Sequence, residues 1–272
     1  MRRLAISNLA LPTTIVPALL KDLQTVGVQG IEVAPTRLGS WAELTDERLD
    51  GYRRLLVDHG LLVSSLASLC FDTADLHLLG NQSSFERLRG HLQRVAAIGS
   101  RLGAELGVFG SPRNRLRGEM STTAAAELGK ERLRNLAETV AAEGFCLGLE
   151  PVPAAYGGDF LPSAAEVIAM VNAVDHPGLR VHLDTGCALL GGDNIADAVM
   201  AAGDFLAHFH VAEPKLGSFY APLAEHAGAA GALQKIGYQG WLAIEMLEQN
   251  PDPMPMVKEA IRVARNFYLC DK

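Results

Sequence analysis

"RVHLDTGCALLGG", residues 180–192, contains a short apolar run that ends in an acid. Val181–Leu183 reads as a buried β-strand, yet Asp184 follows directly and Gly186 breaks the run. Burying a carboxylate without a partner is unfavourable, so such a strand end needs an explanation in its surroundings. Three other apolar runs end in a comparable way: LGLE at 147–150, HFH at 208–210 and LAIE at 242–245. The recurrence indicates strands whose ends face one common site.

These runs belong to a repeating pattern of strands and helices. Eight strand-like runs are each followed by a helical pattern: 4–8, 30–35, 61–68, 104–112, 146–152, 179–184, 206–213 and 240–246. The helical segments carry apolar residues at steps of three and four, as at Leu49, Tyr52 and Leu56. Alternation of strands and helices indicates parallel pairing, and eight such units close into a barrel of roughly 250 residues. The sequence therefore predicts an α/β fold, a single (β/α)8 TIM barrel over residues 1–272.

The alternative arrangement of the same elements is an open, doubly wound sheet. Its dinucleotide-binding version is disfavoured because no GxGxxG motif follows the first strand.

Several helix starts are also predicted: a cap near Ser121 or Thr122, a capping box formed by Ser163 and Glu166, and a helix from about Asp193 after the sixth strand.

The composition excludes several classes of protein. The 272 residues carry a formal net charge of −7, which disfavours a general nucleic-acid-binding surface. The four cysteines form no CxxC pair and no framework of the secreted type. No signal-like segment follows the N-terminus, and no run of about 18 apolar residues could span a bilayer. We expect a cytoplasmic protein with no nucleic-acid or membrane partner.

Polar residues at the C-terminal ends of barrel strands point into the mouth where active sites form. Four acid or imidazole residues occupy such positions on consecutive strands: Glu150, Asp184, His210 and Glu245. A lone Asp at a strand end is often only a helix cap, but converging carboxylates repel one another unless a cation is shared. Three carboxylates and one imidazole suit Mn²⁺, with Mg²⁺, Co²⁺ or Zn²⁺ as alternatives. His182 and His208, two residues before Asp184 and His210, are interpreted as core histidines or as supports for the ligands.

The strand-end motifs LGLEPV, VHLDTG, AHFHVAEP and LAIEM resemble those of the xylose isomerase-like TIM-barrel superfamily. The resemblance covers essentially the whole chain and is greatest to the D-tagatose 3-epimerase-like branch of sugar isomerases and epimerases. It implies one divalent metal, no organic cofactor, and four ligands: Glu150, Asp184, His210 and Glu245. It further implies that Glu150 and Glu245 act as the acid/base pair beside a carbonyl, through an enediolate that the metal stabilises.

The sequence departs from that family's pattern at two positions that contact substrate. Cys187 occupies the position where many relatives carry a histidine, and a thiol is a weaker donor and carries charge less readily. A small packing residue is the favoured interpretation of Cys187, ahead of a nucleophile. Leu216 occupies the position of a frequent arginine, for which the neighbouring Lys215 is a candidate substitute, whereas Glu213 matches the family's acid.

Further candidate substrate residues lie in loops. Tyr156 and Asp159 belong to PAAYGGDFLPS after the fifth strand, where they would contact substrate or shape the loop. Glu32, in GIEVAP, is similar to an acid that relatives present to substrate, and it could equally support a metal ligand. In GSPRNR, Arg113 and Arg115 are candidates to bind a phosphate or carboxylate, although basic loop residues are usually solvated.

The leading hypothesis is a metal-dependent isomerase or epimerase acting on a ketose or a related polyol-derived sugar. A lyase of the inosose dehydratase type would use the same site, and a barrel relative without turnover is a further alternative. Endonuclease IV-like DNA repair is disfavoured because it needs three zinc ions and more histidines than this chain offers at its strand ends. The resemblance is also compatible with a homodimer or homotetramer.

Overall fold

The computed structural model describes residues 2–248 and 252–269, and its centre is a closed barrel of eight parallel strands. The strands pair in chain order, and β1 closes the barrel by pairing with β8. Their bounds are Arg3–Ser7 (β1), Gly30–Val33 (β2), Leu62–Leu66 (β3), Leu106–Phe109 (β4), Cys146–Leu149 (β5), Leu179–Asp184 (β6), Leu206–Ala212 (β7) and Trp241–Glu245 (β8). The predicted (β/α)8 barrel is confirmed.

Helices follow the strands and surround the barrel. In the described residues their bounds are Pro17–Thr25 (α1), Asp46–Val57 (α2), Gln82–Leu102 (α3), Thr122–Ala141 (α4), Ala164–Val174 (α5), Thr185–Gly191 (α6), Ile195–Ala202 (α7), His226–Lys235 (α8) and Met254–Ala264 (α9). A π-helical turn, Arg265–Leu269, continues α9. None of these helices has the length and apolar composition needed to span a membrane.

The helix starts follow from local capping. Ser121 caps α4 by accepting a hydrogen bond from the Ala124 N–H, and Ser163 caps α5 in a complete capping box with Glu166. Both caps were predicted, because a side-chain oxygen at this position satisfies an N–H that the helix leaves without a partner.

The region after β6 differs from the prediction. Instead of one helix from about Asp193, two helices occur, and α6 begins directly after Asp184. The Asp184 side chain caps α6, Gly192 ends it in a left-handed conformation, and Asn194 caps α7. The early helix start brings the end of β6 and the first turn of α6 together at the mouth of the barrel.

The strand register sets the level at which polar groups meet inside the barrel. Asp184 pairs with His210 on the neighbouring strand, and Glu245 pairs with Ala212. On the other side of the barrel, Glu32 on β2 pairs with Ser65 on β3. These side chains lie above a continuous apolar core that fills the space between strands and helices.

Two glycines in α3 allow a matched test of this packing. A Cβ at Gly99 would lie 2.3 Å from the Phe145 ring, whereas a Cβ at Gly90 would meet nothing within 4 Å. Replacing a helical glycine by alanine gains about 0.5–1 kcal/mol in the free energy of unfolding where space permits. We expect Gly90→Ala to stabilise by that amount and Gly99→Ala to destabilise by about 1–3 kcal/mol, since overpacking outweighs the gain. Equilibrium urea unfolding measures both; stabilisation by both substitutions would contradict a tight Gly99–Phe145 contact.

Candidate metal centre

The four residues predicted as metal ligands meet at the C-terminal end of the barrel. Ligand atoms of Glu150, Asp184 and His210 all lie within 4.8 Å of one another. Glu245 joins them through His210, whose Nδ1 lies 3.2 Å from Glu245 Oε2 and 3.5 Å from Asp184 Oδ2. The structure therefore brings together one imidazole and three carboxylates from four consecutive strands, β5 to β8. Their role as ligands stays a prediction.

Glu32, which lies deeper in the barrel, sets the orientation of His210. His210 Nε2 lies 2.9 Å from Glu32 Oε2, which also accepts a hydrogen bond of 2.8 Å from Ser65 Oγ. An ionised carboxylate only accepts hydrogen bonds, so Nε2 carries a proton and donates it to Glu32. In neutral His210 the lone pair is then on Nδ1, which faces Asp184 and Glu245. A metal-binding histidine commonly has such a carboxylate behind it.

The electrostatics of the cluster suit a bound cation. Asp184 Oδ2 and His210 Nδ1 are buried and have no hydrogen-bond partner in the described part of the chain. Burial, together with the charges of Asp184 and Glu245, raises the pKa of Glu150 to about 8. Burial also raises the pKa of Glu245. Three oxygen donors and one nitrogen donor match the preference of Mn²⁺ and similar divalent ions, so these residues fit such an ion.

Asp184 caps a helix and is also placed for the ligand role that the sequence left as the alternative. Its Oδ1 accepts a hydrogen bond of 2.6 Å from the Cys187 N–H and so caps α6. Its other oxygen, Oδ2, faces His210 Nδ1. The cap therefore fixes the carboxylate and leaves its second oxygen available to bind a metal ion.

Cys187 lies beside Glu150 at the edge of this cluster. Its Sγ is 3.8 Å from Glu150 Oε1, and the side chain is only partly exposed. Burial and the neighbouring charges of Asp184, Glu150 and Glu245 raise its pKa well above the ordinary value of 9.0. A thiol held in its protonated form is a poor nucleophile, so the environment favours a packing role.

His182 and His208 lie in the barrel interior below the cluster and are fully or almost fully buried. His182 Nε2 lies 3.5 Å from Glu150 Oε1, and His208 Nε2 lies 3.6 Å from Glu32 Oε2. The two rings meet through their Nδ1 atoms at 3.2 Å. They therefore join the Glu150 side of the site to the Glu32 side, in keeping with their interpretation as supporting residues.

Two predicted substrate residues lie where a substrate has almost no surface to contact. Glu32 is fully buried beneath His210. Glu213 is 3% exposed, lies 2.8 Å from His226 Nε2 and accepts a hydrogen bond from the Leu223 N–H. Glu32 thus supports a candidate ligand, and Glu213 anchors the segment after β7. Neither placement favours direct contact with substrate.

The other predicted substrate residues lie in the loops at the mouth. Tyr156 Oη accepts a hydrogen bond of 2.8 Å from the Lys215 N–H, which joins the loop after β5 to the loop after β7. Burial raises the pKa of Tyr156, and the charges of Cys187, Asp184 and Glu245 add to the rise. Asp159 shapes its loop by accepting from the Arg117 N–H. Arg113 is exposed.

Both arginines of GSPRNR were candidates, and two features of the motif became clear only in the structure. Arg115, and not Arg113, is buried next to the cluster, where its Nη2 donates to the Glu150 carbonyl oxygen at 2.8 Å. A Cβ at Gly110 would lie 2.0 Å from Glu150 Oε2, so only glycine leaves room for this carboxylate. The glycine in the motif was the available signal for a close approach, but nothing in the motif distinguished the two arginines.

A family model described as xylose isomerase-like TIM barrel matches residues 20–267, most of the chain. The chain belongs to the xylose isomerase-like TIM barrel family. The resemblance that the strand-end motifs carry is thereby confirmed.

Curated relatives in this family match part of the chain. An L-ribulose 3-epimerase from Methylomonas sp. is 28% identical over 136 residues, which span 50% of this chain and 47% of that protein. A D-psicose 3-epimerase from Enterocloster bolteae is 35% identical over 118 residues, which span 42% of this chain and 37% of that protein. The matched regions therefore span less than half of either relative.

Solved structures of similar shape cover nearly the whole chain. A crystal structure of D-psicose 3-epimerase in the presence of D-fructose has a TM-score of 0.80 at 17% identity and covers 97% of this chain and 99% of that one. An E. coli 3-keto-D-glucoside 4-epimerase has a TM-score of 0.78 at 17% identity and covers 98% and 100%. At such low identity the likeness establishes the xylose isomerase-like barrel fold alone.

The role of Glu32 behind His210 is testable through metal affinity. Glu32→Gln keeps an oxygen acceptor for the His210 Nε2–H but removes the charge that favours this tautomer. We expect a roughly 10–100-fold weaker Kd for Mn²⁺, measured by isothermal titration calorimetry. Glu213→Gln is the matched control, since it alters a buried glutamate bonded to a histidine outside the cluster, and it should leave the Kd unchanged. Equal losses in both variants would contradict a specific role for Glu32.

The raised pKa values predict how stability changes with pH when no metal is added. Glu150 titrates near 8 in the folded state and near 4.5 in the unfolded chain, so the folded state holds the extra proton between these values. The free energy of unfolding therefore falls as pH rises across that range, and the raised pKa of His210 acts in the same direction above its ordinary 6.5. We expect a lower Tm at about pH 8.5 than at about pH 6, with a smaller drop in Glu150→Gln. A drop of equal size in that variant would contradict the assignment.

Proposed function

We propose that the protein is a divalent-metal-dependent sugar epimerase or isomerase, acting on a ketose or a related polyol-derived sugar. The observation that carries the proposal is the convergence of Glu150, Asp184 and Glu245 on the unpartnered Nδ1 of His210. Buried carboxylates this close together repel one another unless protons or a cation neutralise them. The match to 3-epimerases from other organisms supports the same class of reaction.

In this proposal Glu150, Asp184, His210 and Glu245 hold one divalent ion, with Mn²⁺ as the first candidate and Mg²⁺, Co²⁺ or Zn²⁺ as alternatives. Such an ion would polarise a substrate carbonyl and stabilise the negative charge that develops on its oxygen. Glu32 holds His210 in the tautomer that presents Nδ1, and the N–H of Cys187 holds Asp184. Two of the four proposed ligands are therefore positioned before any ion binds.

Glu150 and Glu245 are the proposed acid/base pair. They extend from β5 and β8, with Asp184 and His210 on the two strands between them. One glutamate removes the proton from the carbon beside the carbonyl, and the other returns a proton from the opposite side or to the neighbouring carbon. Burial raises the pKa of both carboxyl groups in the metal-free protein, and a bound cation would oppose that rise.

Three further properties stay predictions. A lyase would use the same glutamate as base, and the identity of the product would distinguish it from an epimerase. A dimer or tetramer and a cytoplasmic location follow from the family resemblance and the composition, and size-exclusion chromatography and cell fractionation would test them.

The metal content of the purified protein is the first test of this function. We expect about one equivalent of a divalent metal per chain and epimerisation of at least one ketose. Glu150→Gln combined with Glu245→Gln should weaken metal binding and lower turnover by about 10²–10⁴-fold, because general acid–base catalysis is lost. The control is Glu47→Gln combined with Glu127→Gln, which removes two exposed charges on α2 and α4.

Solvent-exchange measurements report removal of the proton beside the carbonyl, whether the reaction then ends in epimerisation, isomerisation or elimination. Deuterium from D₂O should enter the carbon beside the carbonyl with the wild type and the control, and not with the double glutamine variant. The proposal fails if the protein binds none of the four metals when each is supplied. It also fails if the double variant catalyses exchange as fast as the wild type.

A further inference from the structure

A cavity of about 470 Å³ opens at the N-terminal end of the barrel, the end opposite the candidate metal centre. Its lining includes residues that begin strands, among them Arg3 (β1), Leu106 (β4), Cys146 (β5) and Trp241 (β8). The proposed metal ligands all lie outside this lining. Sites for small molecules typically measure about 300–1,000 Å³, so the cavity is large enough to hold one.

The cavity follows from the way in which β3 and β4 pair. Leu66, the last residue of β3, pairs with Gly107, and within the described ranges this is the one pair that joins the two strands. Closer to the strand starts, Val63 and Ser64 of β3 and Leu106 of β4 line the cavity. The last turns of α2 and α3 complete this side of the wall.

The cavity is open to solvent at its rim. Val57 and Leu62 line it there and are 53% and 51% exposed. The deeper wall is apolar and includes the buried Leu56, Leu61 and Leu106. A small molecule therefore has a direct path from solvent, and its apolar part would meet apolar side chains inside.

Positive charge predominates on the wall of the cavity. The guanidinium groups of Arg3, Arg53 and Arg180 line it, and Glu105 contributes the one carboxylate in the described lining. Arg3 and Arg53 are exposed and Arg180 is partly exposed, so all three are accessible to a ligand. This balance of charge favours an anionic ligand.

Two of the guanidinium groups are held by aromatic rings. The Arg3 group lies 4.1 Å from the centroid of the Trp241 ring, and the Arg180 group lies 5.8 Å from that of the Phe205 ring. Neither arginine has a hydrogen-bond acceptor in the residues that the structure describes. Stacking on a ring restrains the planar group and leaves the N–H donors at its edge free to bind an anion.

The innermost part of the wall lies behind the residues that support the candidate centre. Ser64 and His208 line the cavity. Ser65 donates its hydroxyl hydrogen to Glu32, so in the 3.1 Å contact between the two serine hydroxyls Ser64 donates to Ser65. His208 Nε2 lies 3.6 Å from Glu32 Oε2. These side chains separate the cavity from the proposed metal, so a ligand bound here should not compete with the metal.

We propose that this cavity is a second binding site, for a small organic anion. Its apolar body would lie against the leucines of the deeper wall, and its charged group would bind Arg3 or Arg180. Guanidinium groups bind carboxylate, sulfonate and phosphate groups through charge-assisted hydrogen bonds. The inference does not rest on the proposed function, because no residue of the metal centre takes part.

The test compares two probes with the same rings by fluorescence titration: the anionic 8-anilinonaphthalene-1-sulfonate and the neutral N-phenyl-1-naphthylamine. We expect the sulfonate to bind saturably, with about one molecule per chain. It should bind about tenfold or more tightly than the neutral amine, because only the sulfonate accepts charge-assisted hydrogen bonds. Saturating Mn²⁺ should change this affinity by less than about twofold, since the cavity and the centre share no residue.

Replacing the two stacked arginines tests whether the probe occupies this cavity. Arg3→Gln combined with Arg180→Gln should weaken binding of the sulfonate by about tenfold and leave binding of the neutral amine unchanged. Arg54→Gln combined with Arg113→Gln is the matched control, since it removes the same charge from exposed positions outside the cavity. It should keep the wild-type affinity for both probes.

Leu62 allows a test that leaves every arginine in place. Leu62→Glu and Leu62→Gln put side chains of equal size at an exposed position on the rim, and they differ by one charge. We expect the glutamate variant to bind the sulfonate about fivefold more weakly than the glutamine variant, because its charge repels the anion. This pair carries the test if the arginine double variant does not fold, as judged by circular dichroism.

Three results would overturn the inference. These are equal binding of both probes by the wild type, a sulfonate affinity that neither the arginine double variant nor Leu62→Glu lowers, and displacement of the sulfonate by Mn²⁺. Displacement would place the probe at the metal centre. Failure of the proposed function looks different, since a protein that binds no divalent metal would still bind the sulfonate in this cavity.

Discussion

The contact between Glu32 and His210 crosses the interior of the barrel from β2 to β7, and the geometry of the candidate site depends on it. At 2.9 Å, with Ser65 as a second partner of the same oxygen, it fixes both the ring plane and the tautomer of His210. Burial alone would raise the pKa of Glu32, but the charge of His210 and its hydrogen bond outweigh that effect and lower it. The carboxylate therefore stays ionised where solvent is absent. The direction in which His210 Nδ1 points follows from that ionised support.

The carboxylates above His210 have two ways to coexist. Protons neutralise them in the metal-free protein, as the raised pKa values of Glu150 and Glu245 indicate, and a divalent cation would do so in their place. Folding, pH and metal binding are thereby coupled through one small group of atoms. The cap that Asp184 provides to α6 has a further effect, since it ties the position of one carboxylate to the formation of a helix.

Much of this arrangement could be predicted from the sequence, because it depends on the short apolar runs of strands and on the apolar steps of three and four in helices. Strand-like runs that end in Glu150, Asp184, His210 and Glu245 locate the centre once eight units are counted, since a parallel barrel brings strand ends together. The start of α6 was not predictable, because a seven-residue helix has too few turns to show an apolar stripe and its cap is itself a strand residue. The burial of Arg115 and of Glu213 was equally hidden, because it depends on loop paths that no periodicity describes. Family resemblance made Glu213 a candidate for contact with substrate, and in the structure its carboxylate contacts His226 and the main chain of residues 223–224.

The two proposed acid/base residues have different neighbours, and this difference bears on the direction of proton transfer. Glu150 lies beside the buried Arg115, the Cys187 thiol and His182, whereas Glu245 lies beside His210. A pair of carboxyl groups in identical surroundings would share protons equally, and neither would be poised as acid or as base. Distinct neighbours separate their affinities for a proton, which is the usual way in which one carboxyl group becomes an acid while its partner remains a base.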